Sequence, residues 1–168
     1  MDELNRLNVN EFKKIDKIPL VVVLDNIRSL NNIGSVFRTA DAFRVESVFL
    51  CGITACPPHR DIHKTALGAT ESVDWKYFET TTEAINLLRN EQYTIIGIEQ
   101  TVDSISLLKY KPEGKTAIIL GNEVEGVGIE ALELCDYSVE IPQEGTKHSL
   151  NISVCTGIVI WHIYAQLI

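Results

Sequence analysis

Short apolar runs alternate along this chain with longer segments of helical period, and that alternation sets the expected architecture. Six runs read as strands: PLVVVLDN (19–26), SVFLCG (47–52), DWKYFE (74–79), YTIIGIEQ (93–100), KTAIILGN (115–122) and YSVEIP (137–142). Helices are expected over 32–43, about 62–68, 81–91, 127–135 and about 150–167. Runs as continuous as VVVL and AIIL suit strands covered on both faces, the habit of parallel sheets. Strands alternating with helices imply right-handed crossovers and three layers. The expected fold is α/β: one domain over residues 1–168, with a parallel six-stranded sheet and helices on both faces. Residues 1–18 form a short N-terminal segment. The chain has no internal repeat, low-complexity tract or flexible linker.

Two of the expected helices are unusual. In NNIGSVFRTADAF (31–43), Ile33, Val36, Phe37, Ala40 and Phe43 recur at helical spacing and make a buried stripe. Arg38 follows directly on that stripe, a cation at the start of a largely apolar helix. In ISVCTGIVIWHIYAQLI (152–168), apolar residues fall on nearly every side, whereas a surface helix keeps a polar face. Such a helix is either closed over by loops or pairs with a second copy of the chain, and a homodimer contact is the expectation.

Composition narrows the function. The 168 residues, 45% of them hydrophobic, suffice for one substantial core. MDELNRLNVNEFKK is too polar for a secretory signal, and no apolar run is long enough to span a bilayer. Cys51, Cys56, Cys135 and Cys155 form no CxxC pair, which suits reduced thiols in a cytoplasmic protein. The net charge of −8 argues against coating nucleic acid by bulk attraction. The charge is segregated, however. Arg28, Arg38, Arg44, Arg60 and Lys64 crowd one stretch, and Glu123, Glu125, Glu130, Glu133, Asp136 and Glu140 crowd another.

Candidate chemistry lies in three loops at carboxyl ends of strands, where open α/β sheets bind ligands. The first holds Asn26, Arg28, Asn31, Asn32 and Gly34 and leads to Arg38. The second is LGNEVEGVG (120–128), whose glycines allow close ligand approach. The third is IPQEGTKHSLNISV (141–154), where Ser149 or Asn151 can cap the last helix. Singly, each is also what an ordinary turn or helix start requires. Their convergence on one edge of the sheet favours a site. Other signals fail. GKT (114–116) lacks the first P-loop glycine, since Lys109 stands there, and it precedes a strand. No G-x-G-x-x-G follows the first strand. Cys56, His59 and His63 lack a fourth zinc ligand, so no metal site is expected. Ser149 beside His148 has no acid partner for a triad.

Together the three loops resemble the motifs of the SpoU-type (TrmH-like) RNA ribose 2′-O-methyltransferases of the SPOUT superfamily. NNIGSVFRTADAF is similar to the first, with Asn32, Gly34 and Arg38 in its N-x-G-x-x-x-R core. LGNEVEGV matches the second through Gly121, Asn122, Glu123 and Gly126, and IPQEGTKHSLNISV the third through Ile141, Pro142, Gly145, Ser149, Leu150 and Asn151. The motifs stand in the family's order, within a resemblance covering about 19–168.

The resemblance implies a C-terminal trefoil knot over about 115–168, S-adenosyl-L-methionine as methyl donor, and a homodimer with each site near the subunit boundary. It implies catalytic roles for Arg38, Asn32, Glu123, Ser149 and Asn151. It implies donor contacts from Leu120, Gly121, Asn122, Ile141, Gln143, Ser149 and Leu150. Gln143 stands where methionine is frequent. A guanidinium keeps its proton far above neutral pH, so Arg38 is expected to grip an RNA phosphate and position the ribose rather than act as a simple base. RNA contacts are expected from Arg28, Arg60, Lys64 and Lys147, combined across the dimer, weak and salt-sensitive. The expected substrate is tRNA, recognised by shape, with ribosomal RNA as the alternative. The competing readings are a catalytically silent RNA- or donor-binding module and an unrelated binder of a small nucleotide.

Overall fold

The computed structural model describes residues 7–147 and 149–168, so His148 lies outside the described residues. In chain order the elements are α1 (Val9–Lys14), β1 (Ile18–Asp25), α2 (Leu30–Ala42), β2 (Val45–Cys51), α3 (Arg60–Ala66), α4 (Ala69–Ser72), β3 (Asp74–Phe78) and α5 (Thr81–Asn90). They continue with β4 (Thr94–Ile98), β5 (Ile105–Ser106), β6 (Thr116–Leu120), α6 (Ile129–Glu133), β7 (Tyr137–Glu140) and α7 (Ile152–Leu167). The strands form one sheet in the order β3-β2-β1-β6-β4-β7-β5, and all its pairings are parallel.

The expectation of six strands is corrected to seven. The addition is β5, two residues that pair Ile105 with Val139 and Ser106 with Glu140 at the sheet edge. Two residues offer no apolar period for a sequence reading to register. The short helices α1 and α4 escape for the same reason. The expected 127–135 helix shrinks to α6, because Gly128 caps it and the residues before belong to the loop after β6.

β1 and β6 pair at the centre because their side chains are apolar on both faces. Leu20, Val22, Leu24, Ile118 and Leu120 join a core with α2, α3 and α7. Val21, Val23, Ala117 and Ile119 join a second core with α5 and α6. The sheet therefore carries helices on both faces, as expected. On α2, Ile33, Val36, Phe37 and Ala40 are fully buried. Phe43 packs with its ring centroid 5.7 Å from Trp161 and 5.2 Å from Tyr164.

α7 lies against α2. It buries Ile152, Thr156, Val159, Ile160 and Ile163, while Val154, Ile158, Trp161, Ala165 and Ile168 run exposed along the opposite side. All four cysteines are free. Among the described residues no helix is long and apolar enough to cross a membrane.

Candidate functional site

The three loops meet through side chains. Ser29 caps α2 by accepting a hydrogen bond from the Asn32 amide at 3.3 Å, which sets Asn32 in the first turn. The Asn32 side chain donates to Glu123 Oε1 at 2.6 Å, across 91 positions of chain. Asn151 donates to Asn32 Oδ1 at 3.2 Å, across 119. The other end of Asn151 caps α7, with its Oδ1 accepting from the backbone and hydroxyl of Ser153 at 2.9 and 2.6 Å. Of the two capping candidates, Asn151 is the one that caps. Asn32, Glu123 and Asn151 thus form one directional relay of donors ending on a carboxylate.

Beside this relay, a cavity of about 570 Å³ opens at the carboxyl ends of β4, β6 and β7. All the residues expected at the donor line it: Leu120, Gly121 and Asn122 after β6, Ile141 and Gln143 after β7, and Ser149 and Leu150 ahead of α7. Glu123 lines it as well. The loop after β6 is locked by Asn122, whose buried side chain accepts from the amides of Val124 and Glu125, each at 2.8 Å. Gly121 must be glycine, because an added Cβ would overlap the backbone of Gly126 and Val127. Gly126 adopts φ +69°, a left-handed conformation that favours glycine.

Among the described residues that line this cavity the charged ones are all acidic: Glu99, Glu123, Glu125 and Glu140. Glu99 is held by the Gln100 amide at 3.0 Å and the Val127 amide at 3.1 Å. Cys155 also lines the space, and burial, with Glu99 adding a smaller push, raises its thiol to about 11. It is therefore neutral near physiological pH and is no nucleophile.

The structure separates the cations from this cavity. Arg38 is exposed and does not line it. Six residues of helix put Arg38 about 9 Å further along α2 than Asn32 and about a third of a turn away in phase. Arg28, Arg60, Lys64 and Lys147 are all exposed. Arg60 and Lys64 ride on α3, which is fastened to the start of α2 by the Thr65 hydroxyl donating to the Asn31 carbonyl at 2.9 Å. Gly34 allows that close approach, since a Cβ there would strike Thr65 and Ile62. Among the described residues no group of three or more His, Cys, Asp or Glu side chains is placed to hold a metal ion.

Two acidic residues escape the sequence reading. Glu99 directly follows the TIIGI run of β4, and Asp25 ends β1. Asp25 is buried and accepts from Thr81 Oγ1 at 2.5 Å, Asn26 Nδ2 at 2.9 Å and the Gly128 amide at 2.7 Å. It ties the far end of the cavity loop and the start of α5 to the central sheet. The available signal was an acid placed directly after a β-branched apolar run, where a strand opens onto a ligand edge.

The model of the SpoU rRNA Methylase family matches residues 19–161. An uncharacterized tRNA/rRNA methyltransferase of Borreliella burgdorferi is 33% identical over 156 residues, covering 93% of this chain and 68% of that protein. A tRNA (guanosine(18)-2′-O)-methyltransferase of Mus musculus, TARBP1, is 32% identical over 150 residues, which are 88% of this chain. The chain spans only 9% of that much longer protein. Among solved structures, the SpoU methyltransferase AviRb of Streptomyces viridochromogenes in complex with the cofactor AdoMet shares the fold. Its TM-score is 0.83 at 22% identity, over 92% of this chain and 63% of that one.

Proposed function

This chain belongs to the SpoU rRNA Methylase family, and we propose that it transfers a methyl group from S-adenosyl-L-methionine to a ribose 2′-hydroxyl of RNA, with tRNA as the substrate. The observation that carries this reading is the Asn32–Glu123–Asn151 relay standing at the rim of an acidic cavity.

The cavity's own features fit the donor. Its apolar residues Leu120, Ile141, Leu150 and Ile152 suit an adenine, and the loop backbone around Gly121 is open to a ligand's polar edge. Four carboxylates suit a ligand bearing a sulfonium and an ammonium. When bound, S-adenosylmethionine supplies a methyl group already activated by its positive sulfur. The remaining work is alignment, and the relay performs it. The Glu123 carboxylate accepts only, so it fixes the Asn32 amide with nitrogen toward itself and oxygen toward Asn151. That leaves a rigid polar rim, with Ser149 alongside, against which a ribose can be held. Arg38, exposed outside the cavity, grips an RNA phosphate with its planar fork and leaves the hydroxyl proton to water.

A homodimer fits the exposed apolar stripe of α7, where Trp161 is 55% exposed and Gly157 leaves open space for close approach. Because α2 packs on α7, pairing through this stripe sets Arg38 near the subunit boundary and lets two chains share one RNA. The trefoil knot over about 115–168 is supported by the path of the chain. From β7 it must return past the ends of β4 and β6 to bring α7 against α2, and Ser149 and Leu150 enter the cavity shaped by the loop after β6. A stable domain fused after residue 168 then slows refolding many-fold; unchanged refolding argues against threading. The free thiols suit a cytoplasmic enzyme.

Titration calorimetry with S-adenosylhomocysteine tests the donor site, and absence of binding at millimolar concentration removes the enzyme reading. Incubation with labelled donor and either bulk tRNA or ribosomal RNA, followed by mapping of alkali-resistant bonds, tests the reaction. Label in ribosomal RNA alone corrects the substrate, and binding without transfer identifies a silent module.

A further inference from the structure

A second cavity, of about 470 Å³, lies between α3, α4 and the edge strand β3 and shares no lining residue with the first. Nothing in the methyl-transfer site uses it. We infer that it binds one unstacked nucleotide of the substrate RNA, an inference that rests on the RNA reading above.

The walls have the chemistry of a nucleotide slot. Trp75 is half-buried on β3 and lines the space together with Pro57 and Pro58. A flat aromatic surface of this kind stacks any base, because every base has a π-face. Polar groups converge on the same volume. Arg60 offers a planar fork that matches phosphate, and His59 and His63 stand with it. His59 Nδ1 accepts from the Asp61 amide at 3.2 Å, so its neutral ring carries the proton on Nε2, as a donor away from the backbone. Glu71 and Thr70 supply acceptors for the N–H groups of a base edge. The volume lies within the range of small-ligand sites.

Position links this slot to the reaction. α3 is fastened to α2 by the Thr65–Asn31 hydrogen bond and by the Gly34 contact, so the slot stands at a fixed offset from Asn32. An RNA held there by one flipped nucleotide presents another ribose at a set distance. That arrangement supplies grip that a chain of net charge −8 does not obtain from its overall field.

The test uses the full chain without donor. Binding of a tRNA transcript and of fluorescein-labelled hexaribonucleotides is measured by anisotropy for wild type, Trp75→Ala, Trp75→Phe and Arg60→Ala. S-adenosylhomocysteine affinity is measured on each as an independent check of the folded state. Trp75→Ala is expected to weaken RNA binding about tenfold, within the range that loss of one stacked base produces. Arg60→Ala is expected to weaken it comparably and to lower the salt slope by about one. Trp75→Phe keeps affinity within about twofold, yet abolishes most of the tryptophan quenching that hexamers cause in wild type. RNA affinity unchanged in Trp75→Ala and Arg60→Ala, with S-adenosylhomocysteine bound normally, overturns the slot and leaves the methyltransferase reading standing. Quenching by anionic vesicles or an acidic peptide but not by hexamers also overturns it. A wild type that binds S-adenosylhomocysteine and no RNA overturns both readings, and is recognised by the accompanying loss of methyl transfer.

Discussion

Asn151 Nδ2 donates to Asn32 Oδ1 at 3.2 Å, joining the cap of the last helix to the first turn of α2. The bond is solvent-exposed, so its contribution to global stability is small, on the order of 1 kcal/mol or less. Its importance is orientation. Asn32→Ala and Glu123→Gln are expected to lower the rate of methyl transfer by about a hundredfold, the loss typical of one preorganised polar group. Their melting temperatures should stay within a few degrees of wild type. Transfer above a third of the wild-type rate in Glu123→Gln would show that the carboxylate does not set the amides.

Arg38 stands outside the donor cavity, so donor binding and transfer should separate on its removal. Arg38→Ala is expected to cut kcat/KM for RNA by more than tenfold while S-adenosylhomocysteine affinity, read by calorimetry, changes less than about twofold. Arg38→Lys should rescue little, because a point charge lacks the planar fork. Equal rescue by lysine would reduce the role to simple charge.

How far these features were legible in the sequence depended on range. β1 and β6 were readable because Val21–Leu24 and Ala117–Leu120 are unbroken apolar runs, and only a strand buried on both faces tolerates that. Their adjacency was not, since no local pattern says that a strand near residue 118 inserts beside one near residue 22. β5 was invisible because two residues carry no period. In the site, the resemblance named Asn32, Glu123 and Asn151, but their hydrogen bonds depend on where three distant loops end up. Asp25 and Glu99 went unread because one acid after a strand looks like the beginning of any turn, and only the folded loop reveals what each carboxylate holds.

Gly121→Ala should act on the donor pocket directly. The added methyl meets the backbone of Gly126 and Val127, which cannot rotate away as a side chain would. A destabilisation of roughly 1–3 kcal/mol is expected, as for overpacking elsewhere. S-adenosylhomocysteine affinity should fall at least tenfold, because the strand end and loop that line the cavity are pushed apart. A variant that melts normally and binds normally would mean that the loop has slack.

Alkaline pH should loosen the fold through its thiols. Burial pushes Cys51 and Cys135 up to about 12 and Cys155 up to about 11, whereas a thiol in the unfolded chain ionises near 9.0. Between these values the unfolded chain releases protons that the folded chain retains, so this contribution is full below pH 9 and declines as pH rises beyond it. The melting temperature should therefore slope downward above pH 9, less steeply in Cys155→Ala. An identical slope in that variant would exclude Cys155 as a source.

The α7 stripe should decide the assembly state. Trp161→Asp and Ile158→Asp place charge in the middle of an exposed apolar face and are expected to yield monomer by light scattering, with methyl transfer greatly reduced. A wild-type protein that is monomeric at micromolar concentration would refute the pairing.

β6 has all five residues buried and stands between β1 and β4, and the loop that lines the donor cavity is its direct continuation. The β6 end of the pocket thus has no separate melting event available to it: warming cannot disorder that strand without dissolving the middle of the sheet. The amides of β6 should be among the slowest in the molecule to exchange with deuterium, and those of the exposed loop that follows it should exchange faster.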